Sequence, residues 1–145
     1  MALHPDFPKS PYTILDPEIR WFPAPEVLRE KGYEKLLPPL VAELRKKVKE
    51  WRNNNYQGAS KTSQALLNWW FKEEHIVSDK NGMPTPFRYY FAQREALETV
   101  IWLYEVAGVE SKYDLMKFDS SGAVSGGMFP EEWLRFVIKD RKSVV

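Results

Sequence analysis

The residues with the most to offer chemically lie in the run Phe87-Arg-Tyr-Tyr-Phe-Ala-Gln-Arg-Glu-Ala-Leu-Glu98. An aromatic-rich approach leads into a helical pattern whose first turn holds Gln93, Arg94 and Glu95. A carboxamide both donates and accepts, so one Gln can meet the edge of a flat heteroaromatic ring with two hydrogen bonds. Adenine presents the matching edge, with its N6 amine as donor and N7 as acceptor. Phe87 or Phe91 stands near enough in sequence to stack on such a ring, and Arg88 and Arg94 could assist a bound nucleotide. The plainer account needs no ligand. A Gln in a first turn is usually solvated, Phe87, Tyr90 and Phe91 are ordinary core residues, and Arg94–Glu98 is an i,i+4 ion pair.

A second cluster is the basic face Arg45, Lys46, Lys47, Lys49 and Arg52, which could track a nucleic-acid backbone. Glu43 and Glu50 interrupt it, and most such faces are only solvated. With 21 Lys+Arg against 20 Asp+Glu, the net charge of +1 supplies no global attraction to nucleic acid. The chain has no cysteine and two histidines, His4 and His75, which excludes disulfides, thiolate metal sites and a His-rich metal cluster. His75 follows Glu73-Glu74 and reads as a surface residue at a helix end. No Ser/His/Asp set or paired-carboxylate site is evident. No apolar run approaches the roughly 20 residues that span a bilayer, and the first residues lack an apolar signal core. A cytoplasmic location is the expectation.

Helices must position these side chains, and the fold class expected is mainly α. Six prolines in residues 1–25 block helix and central strand, so an extended arm is predicted. Its Phe7, Tyr12, Ile14, Ile19, Trp21 and Phe22 predict that it lies along the domain and buries its aromatics there. The first helix runs from Pro38 or Pro39 to about Asn53, with Leu40, Val41, Leu44, Val48 and Trp51 as its apolar stripe. Asn53-Asn54-Asn55 ends it, because short amides compete for the backbone. The second spans about Lys61 to His75, capped by Ser60, with Ala65, Leu66, Trp69 and Trp70 as its buried face. Val77–Pro86 contains Asn81-Gly82 and two prolines and reads as a loop. The third covers Ala92–Ala107, with Ala96, Leu97, Val100, Ile101 and Tyr104 inward and Gly108 after its last residue. A short helix is possible over Lys112–Lys117, and residues 120–127 are Ser/Gly-rich. Trp133-Leu-Arg-Phe-Val-Ile138 reads as a strand that begins a sheet.

From Phe7 to Lys139 the chain resembles the N-terminal region of large superfamily-two helicases (DEAD/DEAH-box-like) related to the helicase subunit of type III restriction enzymes. The residues that carry the likeness are Ser10-Pro-Tyr, Arg20-Trp-Phe-Pro, Leu36-Leu-Pro-Pro-Leu40, Trp51-Arg, Gly58-Ala-Ser, Thr62-Ser, Asn68-Trp-Trp-Phe71 and, above all, Phe87 to Ala96. The last block is similar to the Q-motif of such motors. The resemblance implies that Gln93 reads adenine and that the following helix packs on the first motor domain. It implies ATP as cofactor and Mg and DNA as partners of a longer parent. It divides the chain into the arm at 1–25, a helical accessory region at 26–86 and the start of a RecA-like α/β motor domain at 87–139.

In that family a strand like Trp133–Ile138 leads into a glycine-rich, lysine-containing phosphate loop. Here Asp140-Arg-Lys-Ser-Val-Val145 follows, with no glycine after Lys139 to form a phosphate cradle. These six residues match a reading frame of a common sequencing adapter, so 140–145 is expected to be non-native, and the chain alone to be catalytically inactive. Two alternatives stand beside the helicase fragment. One is a small helical interaction module that presents Trp21, Trp51, Trp69, Trp70 and Trp102 to a partner. The other is a stand-alone DNA-binding domain, which requires Arg45, Lys46, Lys49 and Arg52 to share one surface with Lys61 and Lys72.

Overall fold

A computed structural model describes residues 10–17 and 39–118. The expected strand at Trp133–Ile138, the tail at 140–145 and the remainder of the arm, with Phe7, Ile19, Trp21 and Phe22, lie outside the described residues. So do the side chains of Leu40 and Val41.

Three helices and a hairpin make up the described part. Helix α1 is Pro39–Asn53 and α2 is Lys61–Lys72. A two-stranded antiparallel sheet follows, β1 His75–Ser78 with β2 Pro84–Phe87. Helix α3 is Phe91–Ile101, continued by a π-helical turn at Trp102–Val106, and a 3-10 segment spans Lys112–Phe118. The mainly helical class therefore holds. Nothing among the described residues forms the parallel sheet of a RecA-like motor domain.

Helix α1 begins with Pro39 in its first turn, where a missing N–H costs nothing. Leu44, Val48 and Trp51 are buried at helical spacing, as the apolar stripe predicts. The helix ends where Asn55 and Tyr56 both turn to positive φ, at 57° and 59°. Asn tolerates that region, whereas for Tyr it costs on the order of 1–2 kcal/mol. Tyr56 is fully buried and its ring packs edge-on against Trp51, so burial offsets the strain. Trp51 Nε1 donates to the Gln57 carbonyl at 3.0 Å, which ties the turn back to the helix.

Helix α2 starts as expected. The Ser60 hydroxyl accepts from the Ser63 N–H. Its buried face differs from the prediction. Leu67 is the buried residue, flanked by half-buried Ser63, Gln64 and Phe71, while Leu66 and Trp69 are exposed. Apolar residues occupy nearly the whole circumference from Ala65 to Phe71, so periodicity could not choose the side. The helix also stops three residues early. Glu73 is extended, and the His75 Nε2 donates to the Trp69 carbonyl at 2.8 Å. His75 is thus the first residue of β1, half-buried against Trp69, rather than a helix end.

The Val77–Pro86 loop is in fact most of a hairpin. His75 pairs with Phe87, Ile76 with Pro86, Val77 with Thr85 and Ser78 with Pro84. Prolines at alternate positions leave the N–H groups of Thr85 and Phe87 for the ladder, which an edge strand allows. Asn81-Gly82 forms the turn, with Gly82 at φ 77° and the Asp79 carboxylate accepting from the Asn81 and Met83 N–H groups.

The core unites both sides of the hairpin. Leu44, Val48, Trp51, Tyr56, Ala59, Leu67, Trp102, Leu103 and Val109 form one cluster. Helix α1 packs on α3 and on the 3-10 segment. Gly108 at φ 61° lets Val109 N–H reach the Leu103 carbonyl, which closes the helix where the sequence placed its end. The widened π turn, closed by Ala107 N–H to Trp102 O, precedes that glycine. Glu105 within this turn accepts from Ser60 N–H and Ser63 Oγ, so a carboxylate sits at the N-terminus of α2.

Candidate functional site around the N-terminus of helix α3

Helix α3 presents two chemically different faces. The inward one carries Phe91, Glu95 and Glu98, all buried, and not the expected stripe of aliphatics. Leu97 and Ile101 pack at its margin, and Tyr104 is exposed. Glu98 is completely buried. Its Oε2 accepts from Arg52 Nε at 2.7 Å and from Arg52 Nη2, and its Oε1 accepts from Arg94 Nε at 2.7 Å. The Tyr56 hydroxyl donates to the same Oε1 at 2.6 Å and accepts from Arg94 Nη2 at 2.8 Å. The i,i+4 pair expected from sequence is therefore one side of a buried four-residue network. Burial, reinforced by the bond to Glu98, holds the Tyr56 phenol well above its ordinary pKa. Burial alone would lower the Arg94 pKa, but the Glu98 carboxylate outweighs it and raises it.

The outward face carries Gln93, which is exposed. Its Oε1 accepts the Tyr90 N–H at 3.0 Å, so the amide folds back over the helix start. The donor is a backbone N–H, which fixes the carbonyl inward and the Nε2 outward. The segment Ser10–Pro17 docks beside it. Ser10 O accepts from Thr13 N–H in a turn, and Pro11 O accepts the Phe91 N–H at 2.8 Å. The Tyr12 ring lies 5.2 Å from that of Tyr90, and both are nearly half exposed. Asp16 pairs with Lys49 of α1 at 2.8 Å. This part of the arm runs along the domain as predicted. It begins with a turn and is not extended throughout, and it leaves Tyr12 and Ile14 exposed instead of burying them.

Four of the five nucleotide-binding candidates, Phe87, Arg88, Phe91 and Arg94, line one cleft of about 520 Å³ together with Tyr12 and His75. Gln93 is not part of that lining. Phe91 is 7% exposed with the Arg52 guanidinium 5.4 Å from its ring centre, so little of its surface is open to the cleft. Phe87 packs edge-on against Tyr89 at 4.9 Å. Tyr90, whose backbone N–H meets Gln93, has its ring against that of Tyr12. Tyr90 was visible in the sequence as one aromatic among several. Tyr12 gave no local signal, because only the docking of the arm brings it there.

Part of the basic face is engaged within the protein. Arg52 is buried against Glu98, Arg45 faces Glu95 at 3.6 Å, and Lys49 holds Asp16. Burial lowers the Arg45 pKa, with Glu95 opposing. Lys46 is exposed, and Lys72 is turned to the Asn55 side chain. Trp51 and Trp102 are likewise core residues and not a partner surface, while Trp69 is exposed.

Among the described residues no group of three His, Cys, Asp or Glu could hold a metal ion, and no helix is long and apolar enough to cross a membrane. No family model matches the chain, and comparison with curated proteins and with solved structures likewise gives no match.

Proposed function

We propose that this chain is the N-terminal part of an ATP-dependent DNA helicase or translocase, of the kind that includes the helicase subunit of type III restriction enzymes, and that Gln93 reads the adenine of ATP. The observation that carries it is the tether between Gln93 Oε1 and the Tyr90 N–H. A carbonyl oxygen has two lone pairs. One holds the backbone and the other is left for the N6 amine of adenine, while Nε2 donates to N7. The tether also settles which way the amide faces, so no rotamer choice remains to be lost on binding. Guanine presents O6 where adenine presents its amine, and two acceptors would then oppose each other. An adenine preference follows.

The residues at hand fit the base and not the triphosphate. Phosphoryl transfer requires a phosphate cradle, a lysine and a carboxylate-held Mg, and these belong to the motor segment expected after Lys139. ATP, when bound there, supplies the energy for movement on DNA. The role of this chain is to orient the base and to brace α3 against α1. The Arg52–Glu98–Arg94 network supports that bracing by fixing the helix from which Gln93 projects.

The test is the uninterrupted genomic frame beyond the Lys139 codon, followed by assay of its product. A Gly-x-Gly-Lys-Thr-like run and DNA-stimulated ATP hydrolysis are expected, with negligible turnover by the 145-residue chain alone. A stop codon directly after Val145, or brisk hydrolysis by the short chain, would overturn the assignment.

A further inference from the structure

We infer that the outer edge of strand β1 is a self-pairing interface, through which two copies of the chain join their hairpins into one antiparallel sheet. This goes beyond the nucleotide reading and does not depend on it. Hydrogen-bonded and non-hydrogen-bonded pairs alternate along an antiparallel ladder. Pro84 and Pro86 have no N–H, so the ladder runs through His75–Phe87 and Val77–Thr85. The N–H and C=O groups of Ile76 and Ser78 therefore point away from β2, and among the described residues no strand meets them. The two edges of the hairpin are not alike. β2 presents Pro84 and Pro86 outward, which blocks further pairing. β1 carries neither proline nor lysine between His75 and Ser78. Its apolar side chains are open, with Ile76 69% and Val77 46% exposed. A two-stranded hairpin is marginal by itself and gains from added strands.

The residues around β1 select a second copy as the occupant. An edge that pairs with itself does so about a two-fold axis, with the same patch used on both copies. Centred on Val77, the pairing sets Ile76 against Ser78 of the second copy, and the axis repeats the exchange. The two Val77 side chains then lie side by side, and the two Ile76 side chains meet diagonally. Glu74 falls opposite Lys80 of the second copy. Both are exposed, and neither side chain has an ion pair or hydrogen bond among the described residues. Neighbouring registers lack this complementarity. Centring on Ile76 sets Glu73 against Asp79, two like charges. Centring on Ser78 sets Ile76 against Lys80 and Val77 against Asp79. The pairing engages only a short strand from each copy, so the dimer is weak, with a dissociation constant on the order of 0.1–1 mM.

The experiment is sedimentation velocity on the 145-residue chain over a concentration series that brackets this value. A reversible monomer–dimer equilibrium is expected. Ser78→Pro removes an outward N–H and gives β1 the same block that β2 has. It should abolish dimerisation, with near-ultraviolet circular dichroism showing that the monomer keeps its fold. Glu74→Lys sets lysine against lysine on both sides of the axis and should weaken association on the order of tenfold. Adding Lys80→Glu to the same chain reverses both partners and should restore the parent's dissociation constant. Both charges are exposed, so this reversal tests the pairing even where Ser78→Pro unfolds the chain. A chain that stays monomeric at every concentration overturns the proposal. So does a dimer that survives Ser78→Pro with the fold intact, or one that Glu74→Lys leaves unchanged. A Glu74→Lys defect that Lys80→Glu does not repair overturns the pairing centred on Val77.

Discussion

The two faces of helix α3 differ in what they ask of a side chain. On the inner face Glu98 is fully buried and satisfied by three partners, Arg52, Arg94 and Tyr56. On the outer face Gln93 is exposed and fixed by one backbone bond. A buried charge is costly unless every lone pair is met, so the inner face has little freedom to change and contributes to integrity. The outer face is anchored by that single backbone bond and otherwise stands in solvent. The two residues are five positions apart, so one helix serves both purposes only because the core determines which way each points.

That contrast can be broken from the inside. Glu98→Ala leaves the Arg52 guanidinium buried without its carboxylate and should destabilise the protein by about 3–5 kcal/mol, read as a collapse of the urea-unfolding midpoint. Tyr56→Phe removes one hydroxyl that both donates and accepts in the network, and about 1–3 kcal/mol is expected in the same assay. The outer face should respond in the opposite way. Gln93→Ala removes the bond to the Tyr90 N–H at the helix start and should cost only about 0.5–1 kcal/mol, while equalising AMP and GMP affinity in an NMR titration of the chain. A large stability loss there would show that Gln93 is structural and would blur the distinction.

The smallest effect concerns pH. Hydrogen bonds from Ser63 and from Ser60 hold the exposed Glu105 carboxyl below its ordinary pKa of 4.5. A depressed folded-state pKa stabilises above the unfolded value and loses that contribution as pH falls through the folded one. Stability should therefore begin to fall below about pH 4.5, and Glu105→Gln should flatten that part of the curve. An unchanged slope in Glu105→Gln would place the acid sensitivity elsewhere.

Much of this architecture was legible locally. The stripe of Leu44, Val48 and Trp51, the Ser60 cap, the Asn run after α1 and the glycine at 108 each depend on a few neighbouring residues, and each behaves as its chemistry requires. The hairpin was missed because Pro84 and Pro86 argue against a strand. Only the pairing partner shows that they occupy the outward-facing positions of an edge. The side of α2 that is buried was equally open, since a helix apolar nearly all round carries no phase.

The candidate site divides along the same line. Sequence alone singled out Gln93, its aromatic approach and the Arg94–Glu98 spacing, because carboxamide chemistry and i,i+4 geometry are local properties. It could not separate Phe91, committed to the core, from Tyr90, open to solvent. Nor could it tell that Arg52 is buried rather than part of a basic surface, or that Tyr12 meets Tyr90. Those facts depend on contacts between segments far apart in the chain. Which face of a helix meets the core is decided by the packing of the whole and not by any window of residues.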